Sequence, residues 1–264
     1  MSSVAAVAAA SEVATFLENW PHGLVALSLP QEDVPLSLDE AAALGRAMSR
    51  YGHRFPRIAG AAGLLEALML RLDRAVRRFP DGAFVRLGSR SPKDSAFVQE
   101  LRGRIFGGRL ALMCLTEGSV RIADDLEWAL AHRYPPHVFV RPWTNIPPWA
   151  ELRGFMRGRR LVGISQYNSV AQGRSFSELR AQAVRAQNAV RAFFPRFEAA
   201  CHLADCVFDV VLWHAEAPAA LAVLLLEIGP FGSDTDTLLF GPSDEDFDGS
   251  FRFLAAPSQP VRLM

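Results

Sequence analysis

Two carboxylates stand where a carboxylate is costly. Asp209 lies in the run Cys206-Val-Phe-Asp-Val-Val and Glu227 in Leu225-Leu-Glu-Ile-Gly229, each the lone charge in an apolar, strand-like segment. Burying such a group is expensive unless it is paired or bound to a metal. If the two runs pair as a hairpin, both carboxylates converge on one magnesium ion, a hard cation that takes oxygen ligands and keeps positions for phosphates. A pair of buried salt bridges to arginine is the alternative. Three further segments carry chemistry. Arg86 is followed by Gly88-Ser89-Arg90-Ser91-Pro92-Lys93-Asp94, a donor-rich loop of small residues able to lie over phosphates or to serve as an ordinary surface turn. Val138-Phe139-Val140-Arg141 is an apolar strand ending in a cation, able to offer backbone groups to a purine edge or to be a plain buried strand. Glu151-Leu152-Arg153-Gly154-Phe155-Met156 alternates, so Glu151, Arg153 and Phe155 share a face. From that face Arg153 would reach a phosphate; an exposed sheet face is the other reading. Taken together these segments describe an ATP·Mg2+ site.

Composition narrows the chemistry further. The chain has 264 residues, with 28 basic and 28 acidic side chains, and 27 of the 28 basic residues are arginine. The only lysine, Lys93, sits between Pro92 and Asp94, so there is no Walker A loop and no kinase-type strand lysine. Zero net charge argues against a general nucleic-acid or membrane binder. Three cysteines are too few and odd for a disulfide framework. The alanine-rich start lacks a basic region and meets Glu12 early, and the longest later apolar run, Ala217–Leu226, is too short to span a bilayer. A cytoplasmic protein is expected.

The elements that must position these groups are partly periodic. The first 80 residues read as helical: Ser37 and Glu40 form a capping-box pattern ahead of a helix reaching about Arg50, and a second helix runs from about Ala59 to Arg78. Ala83–Leu87 reads as a strand, and residues 94–102 and 119–133 read as helices. His137–Arg141 is a strand, followed by the hairpin Leu152–Met156 and Leu161–Gln166 around Gly158. A long helix spans about Phe176–Phe194, then come strands Cys206–Trp213 and Leu221–Ile228, joined at Ala217-Pro218. The last forty residues read as loop. The order is α+β, with strands suited to mainly antiparallel sheets.

Other motifs point elsewhere and are incomplete. Asp244-x-Asp246-x-Asp248-Gly249 opens like a calcium loop, but its twelfth position is Ala255. Gly163-Ile164-Ser165-Gln166 begins like a nucleophile elbow, but Tyr167 takes the place of the second glycine. Cys201, His202, Asp205 and Cys206 lack a second cluster at zinc spacing and read as buried free thiols with neighbours.

FVRLGSRSPKDS, FVRPW, ELRGFMRGRRLVGISQYN, VFDVVL and LLLEIGPFGSDTDTLLF together resemble, in order, the blocks of the cell division cycle protein 123 family across roughly residues 80–242. The resemblance implies an ATP-grasp-like α+β fold: two subdomains with mainly antiparallel sheets and flanking helices, and the nucleotide site between them. It implies a helical N-terminal region at 1–80, a smaller subdomain with the phosphate loop at 81–136, and a larger one with metal-binding strands at 137–264. It implies ATP and Mg2+ as cofactors. Arg86, Ser91, Lys93 and Asp94 would lie near the phosphates, Val138 to Arg141 at the adenine hinge, and Arg153 at the terminal phosphates. Asp209 and Glu227 would hold the metal, while Gly229 stands where the family has a third metal ligand, Asn. Tyr167-Asn168 replaces a family Arg-Asp. The implied activity is that of a carboxylate–amine ligase with Arg153 and Lys93 as its catalytic cations. An ATP-dependent assembly factor or chaperone with a protein client is the alternative, and a relative that no longer hydrolyses ATP is a third reading.

Overall fold

Ser37 caps α2 (Leu38–Arg46) as its spacing predicts: the hydroxyl accepts from the Glu40 amide, and the Ser37 amide donates to the Glu40 carboxylate. Among the described residues ahead of it stand a single α-helical turn, α1 (His22–Val25), and a 3-10 turn at Leu17–Asn19. The computed structural model describes residues 12–167, 174–214, 221–232, 235–241, 243–256 and 259–264. The alanine-rich start, Asn168 and the expected turn at Ala217-Pro218 lie outside these residues. No helix among the described residues is long and apolar enough to cross a membrane.

The chain divides into two compact units, Pro30–Thr144 and Met1–Leu29 with Asn145–Met264. These limits differ from the three regions expected above, for a physical reason. Leu44 and Leu68 from the early helices share one core with Val85 and Val138 from the strands that flank the phosphate loop. The Pro30–Thr144 unit holds an antiparallel sheet in the order β1 (Glu32–Pro35), β3 (His137–Pro142), β2 (Ala83–Leu87). Against it pack α2, α3 (Ala61–Val76), α5 (Gly108–Thr116) and α6 (Val120–Ala131), with the short α4 (Ala96–Glu100) between β2 and α5. Two of these elements depart from the sequence reading. β1 carries two acids and a proline and buries only Val34, so it has no strand-like pattern of its own. α5 follows two glycines, and Gly108 is there because a Cβ would meet the Met69 carbonyl oxygen on α3 at 2.2 Å.

The other unit is built on a six-stranded sheet in the order β7 (Leu221–Gly229), β6 (Cys206–His214), β4 (Glu151–Arg157), β5 (Arg160–Gln166), β8 (Phe251–Ala256), β9 (Gln259–Leu263). All neighbours are antiparallel except β5 and β8. The last two strands fall where the sequence reads as loop; Phe251 and Phe253 bury one face of β8 after an acidic, glycine-containing stretch that hides the alternation. α7 (Arg174–Ala200) covers one face of the sheet. On it Phe197 stacks on Phe208 of β6 at 4.3 Å, with both rings fully buried. Gly154 is the cross-strand partner of Phe208, and a Cβ there would meet the ring at 2.0 Å. The opposite face carries Phe155 and Val207, covered by Phe231, Phe240 and Phe247 of the C-terminal segment.

Candidate functional site

Arg153 and Asp209 share that second face. They are cross-strand partners on β4 and β6, placed opposite each other by the Gly154–Phe208 match one residue on. The guanidinium forks onto the carboxylate: Nε donates to Oδ1 at 2.7 Å and Nη2 to Oδ2 at 2.8 Å. The two side chains are 11% and 2% exposed. A bidentate pair of this kind is among the strongest side-chain interactions available. Burial pushes the Arg153 pKa down, and the Asp209 bond and charge outweigh it and hold the group firmly protonated. The remaining Nη1 donates to the Asp236 carbonyl at 3.1 Å, and the guanidinium lies 5.0 Å from the Tyr167 ring centre. Asp236 and Tyr167 fall within segments singled out in the sequence only as blocks of a pattern; their contact with Arg153 had no separate signal.

Glu227 is the β7 partner of Asp209, so the two carboxylates do sit on adjacent strands of one hairpin, and the charge of Glu227 also acts on Arg153. The donor set suits a hard divalent cation. Two carboxylates supply oxygens, and each Asp209 oxygen retains lone-pair capacity beside its Arg153 bond. A Mg2+ bound this way would take its remaining ligands from phosphate and water. Among the described residues no group of three or more His, Cys, Asp or Glu is placed to hold a metal by itself. Gly229 closes the strand, and a Cβ there would approach Val207 Cγ2 at 3.2 Å.

The other expected residues lie in the Pro30–Thr144 unit. Arg86 is buried on β2, its Nε donating to the Leu87 carbonyl at 3.0 Å and its Nη2 to the Ser89 carbonyl at 3.3 Å, so it braces the start of the loop. Ser89 and Arg90 both bind Asp125 of α6. Lys93 is exposed, and its carbonyl accepts from Gln99. Ser91 is 2% exposed and its hydroxyl has no hydrogen-bond partner. Buried hydroxyls are normally satisfied, so this orphan donor in the expected phosphate loop fits a ligand-binding segment.

Asp94 has a structural task at the end of the same loop. Its carboxylate accepts from the Ser119 hydroxyl at 2.6 Å and from the Val120 and Arg121 amides at 2.8 and 3.3 Å, at the N-terminus of α6. Burial opposes ionisation, but these donors outweigh it and hold the carboxyl below its ordinary range. Asp94→Ala should therefore cost about 1 kcal/mol of stability at neutral pH. Because the folded-state value is depressed, the contribution is complete above the unfolded carboxyl range, about pH 4, and is lost as pH falls through the folded value. Urea titrations of both proteins across that window should show the gap closing with acid; a gap that is constant with pH excludes the capping role.

Val138 to Arg141 do not offer a free strand edge. β3 is the central strand: Val138, Phe139 and Val140 each have partners on both β1 and β2, and Arg141 pairs with Phe84. Val138 to Val140 are thus paired on both sides, Arg141 is paired on one, and its guanidinium binds Gln31 at 2.7 Å. Ser165 and Gln166 of the Gly-Ile-Ser-Gln block are also internal: Gln166 Oε1 accepts from the Leu254 amide at 2.9 Å and so ties β5 to β8. Asp248 of the calcium-like segment is held by Arg252 and Arg262.

A family model described as D123 matches residues 61–246. The solved structure of Cdc123 from Schizosaccharomyces pombe is similar over 90% of this chain and 91% of that chain, with 18% identity and a TM-score of 0.68. A C-terminally truncated Cdc123 from the same organism gives 18% identity and a TM-score of 0.67 over 88% of this chain and 89% of that one. A RimK domain protein ATP-grasp from Sphaerobacter thermophilus aligns over 74% of this chain and 69% of that chain at 15% identity, with a TM-score of 0.25. No curated protein matches in sequence. The fold is that of the Cdc123 structures, a mixed α+β arrangement with the mainly antiparallel sheets expected from the sequence.

Proposed function

The chain belongs to the D123 (Cdc123) family, and from that premise we propose that it binds ATP with Mg2+. The observation that carries this reading is the cross-strand pair Asp209–Glu227 beside the buried Arg153 guanidinium. Asp209 and Glu227 would hold the cation, and Arg153 would contact the terminal phosphates. When bound, Mg2+ supplies positive charge that neutralises the phosphate oxygens. In the structure Arg153 and Asp209 neutralise each other. Phosphate and cation would take over the two halves of that pair, so neither charge is left buried without compensation.

Within the Pro30–Thr144 unit, Ser91 and Lys93 would offer donors to phosphate, with Arg86 and Asp94 bracing the loop that carries them. Val138 to Arg141 would support that loop as the central strand of its sheet. ATP should raise the thermal midpoint in proportion to the logarithm of its concentration, and Mg2+ should add a further increment. Asp209→Asn and Glu227→Gln should each keep an ATP shift and lose the magnesium increment. Absence of any shift at millimolar ATP would overturn the proposal. Release of ADP on adding carboxylate and amine pools would mark a ligase; a stoichiometric protein partner captured with ATP and without turnover would mark an assembly factor.

A further inference from the structure

We propose that the outer face of α3 is a dimer interface: a second copy of this chain docks there antiparallel, with the two Leu70 side chains on the two-fold axis. The helix turns Leu68, Leu72, Ala75 and Val76 into the core of the Pro30–Thr144 unit. Its opposite face is open to solvent. Leu70 stands in the middle of that face and is 52% exposed. Glu66 lies one turn before it and Arg74 one turn after, so the three side chains form a row, and both charged residues are exposed.

The charges identify the occupant. Glu66 and Arg74 make no ion pair or hydrogen bond among the described residues. Along the helix they are about 12 Å apart, too far to pair with each other. A two-fold axis through Leu70 exchanges the position one turn before it with the position one turn after. Glu66 of each copy then meets the partner's Arg74, and the same contact occurs twice. A patch that complements itself about its own centre is what an isologous dimer requires.

The shape of the face agrees with this arrangement. Gly63 lies on it, in the first turn of α3, although glycine weakens a helix. A Cβ at Gly63 would meet nothing within 4 Å, so no contact inside the chain calls for a glycine there. The same axis sets Gly63 opposite the partner's Arg77. That side chain is 77% exposed, and its long stem needs a place without a side chain. Ala67, also exposed, lets the two helices approach closely. Phe106 extends the apolar part of the patch. It is 60% exposed and belongs to the segment that reaches α3 at Asp73, whose carboxylate accepts from the Gly108 amide at 3.1 Å.

The test is sedimentation velocity of the full chain at rising concentration. One helix pair is a small interface, so the wild-type mass should climb from one chain toward two at roughly tens of micromolar. Leu70→Glu puts two carboxylates on the axis and should raise the dissociation constant by at least about tenfold. Glu66→Arg alone and Arg74→Glu alone should each stay monomeric, because every contact then sets like charges together. An equimolar mixture of these two variants should associate, because each charge again meets its opposite. All three residues are exposed, so the thermal midpoints should stay close to that of the wild type. A wild-type chain that stays monomeric throughout would overturn the proposal and leave the face to a different protein. A dimer that survives Leu70→Glu, or a mixture that does not associate, would overturn it as well. The charge variants carry the test on their own if Leu70→Glu fails to fold.

Discussion

Arg153→Met should lower the unfolding free energy by about 3–5 kcal/mol in a denaturant titration. The loss comes from what stays behind. Asp209 is 2% exposed and receives two bonds from the guanidinium, at 2.7 and 2.8 Å. Methionine replaces the volume but returns neither the donors nor the charge, so a carboxylate is left in the sheet interior beside the charge of Glu227. A control separates this from lost packing. Arg153→Met combined with Asp209→Leu removes both charges, and the double variant should recover most of the stability, since buried ion pairs exchange for apolar pairs at little cost. A double variant as unstable as Arg153→Met alone would show that the guanidinium acts through its packing and its bond to the Asp236 carbonyl. Arg153→Met should also weaken ATP binding, because it removes the phosphate contact, and the double variant should in addition lose the magnesium increment, because it removes Asp209.

Phe208→Ala should cost a similar 3–5 kcal/mol, the usual range for emptying a fully buried aromatic site. Phe208 stacks on Phe197 at 4.3 Å and contacts Phe194 at 6.1 Å, so its ring joins α7 to the sheet. Gly154 is the other half of this fit. Gly154→Ala should destabilise the protein by about 1–3 kcal/mol through overpacking, because the ring it would strike is held by Phe197 and cannot swing away. The two substitutions act on one space. Gly154→Ala in the Phe208→Ala background should therefore cost much less than alone, and a double-mutant cycle measures the difference. Strict additivity would show that Gly154 is required for its backbone and not for the ring opposite. Because Gly154 and Phe208 lie next to Arg153 and Asp209 in the same register, the cycle also tests what aligns the candidate site.

Much of this was legible before any fold was known, and the reason differs by element. The capping box at Ser37 and Glu40, the strand Ala83–Leu87 and the hairpin around Gly158 rest on side chains a few residues apart, so local spacing predicts them. β1 and β9 rest on their neighbours: each buries little of its own surface and is a strand because another strand pairs with it. α5 depends on Gly108 meeting the backbone of α3, a contact that no spacing within α5 encodes. The strand Val138–Arg141 was legible as a strand but not as a central one. Pairing on both sides from Val138 to Val140 is what makes it central.

The candidate site divides the same way. A lone carboxylate in an apolar strand is a property of composition, and Asp209 and Glu227 stood out for that reason alone. The sequence by itself pointed to buried groups in need of compensation, because the cost of burying a charge follows from the residues around it; the structure buries Asp209 at 2% exposed, whereas Glu227 is only partly buried. Only the tertiary structure decided what compensates Asp209. Arg153 is 56 residues away, and it reaches the carboxylate because Gly154 leaves room for Phe208 and so sets the register of β4 on β6. Partner choice depends on a distance between strands, and no pattern within either strand contains that distance.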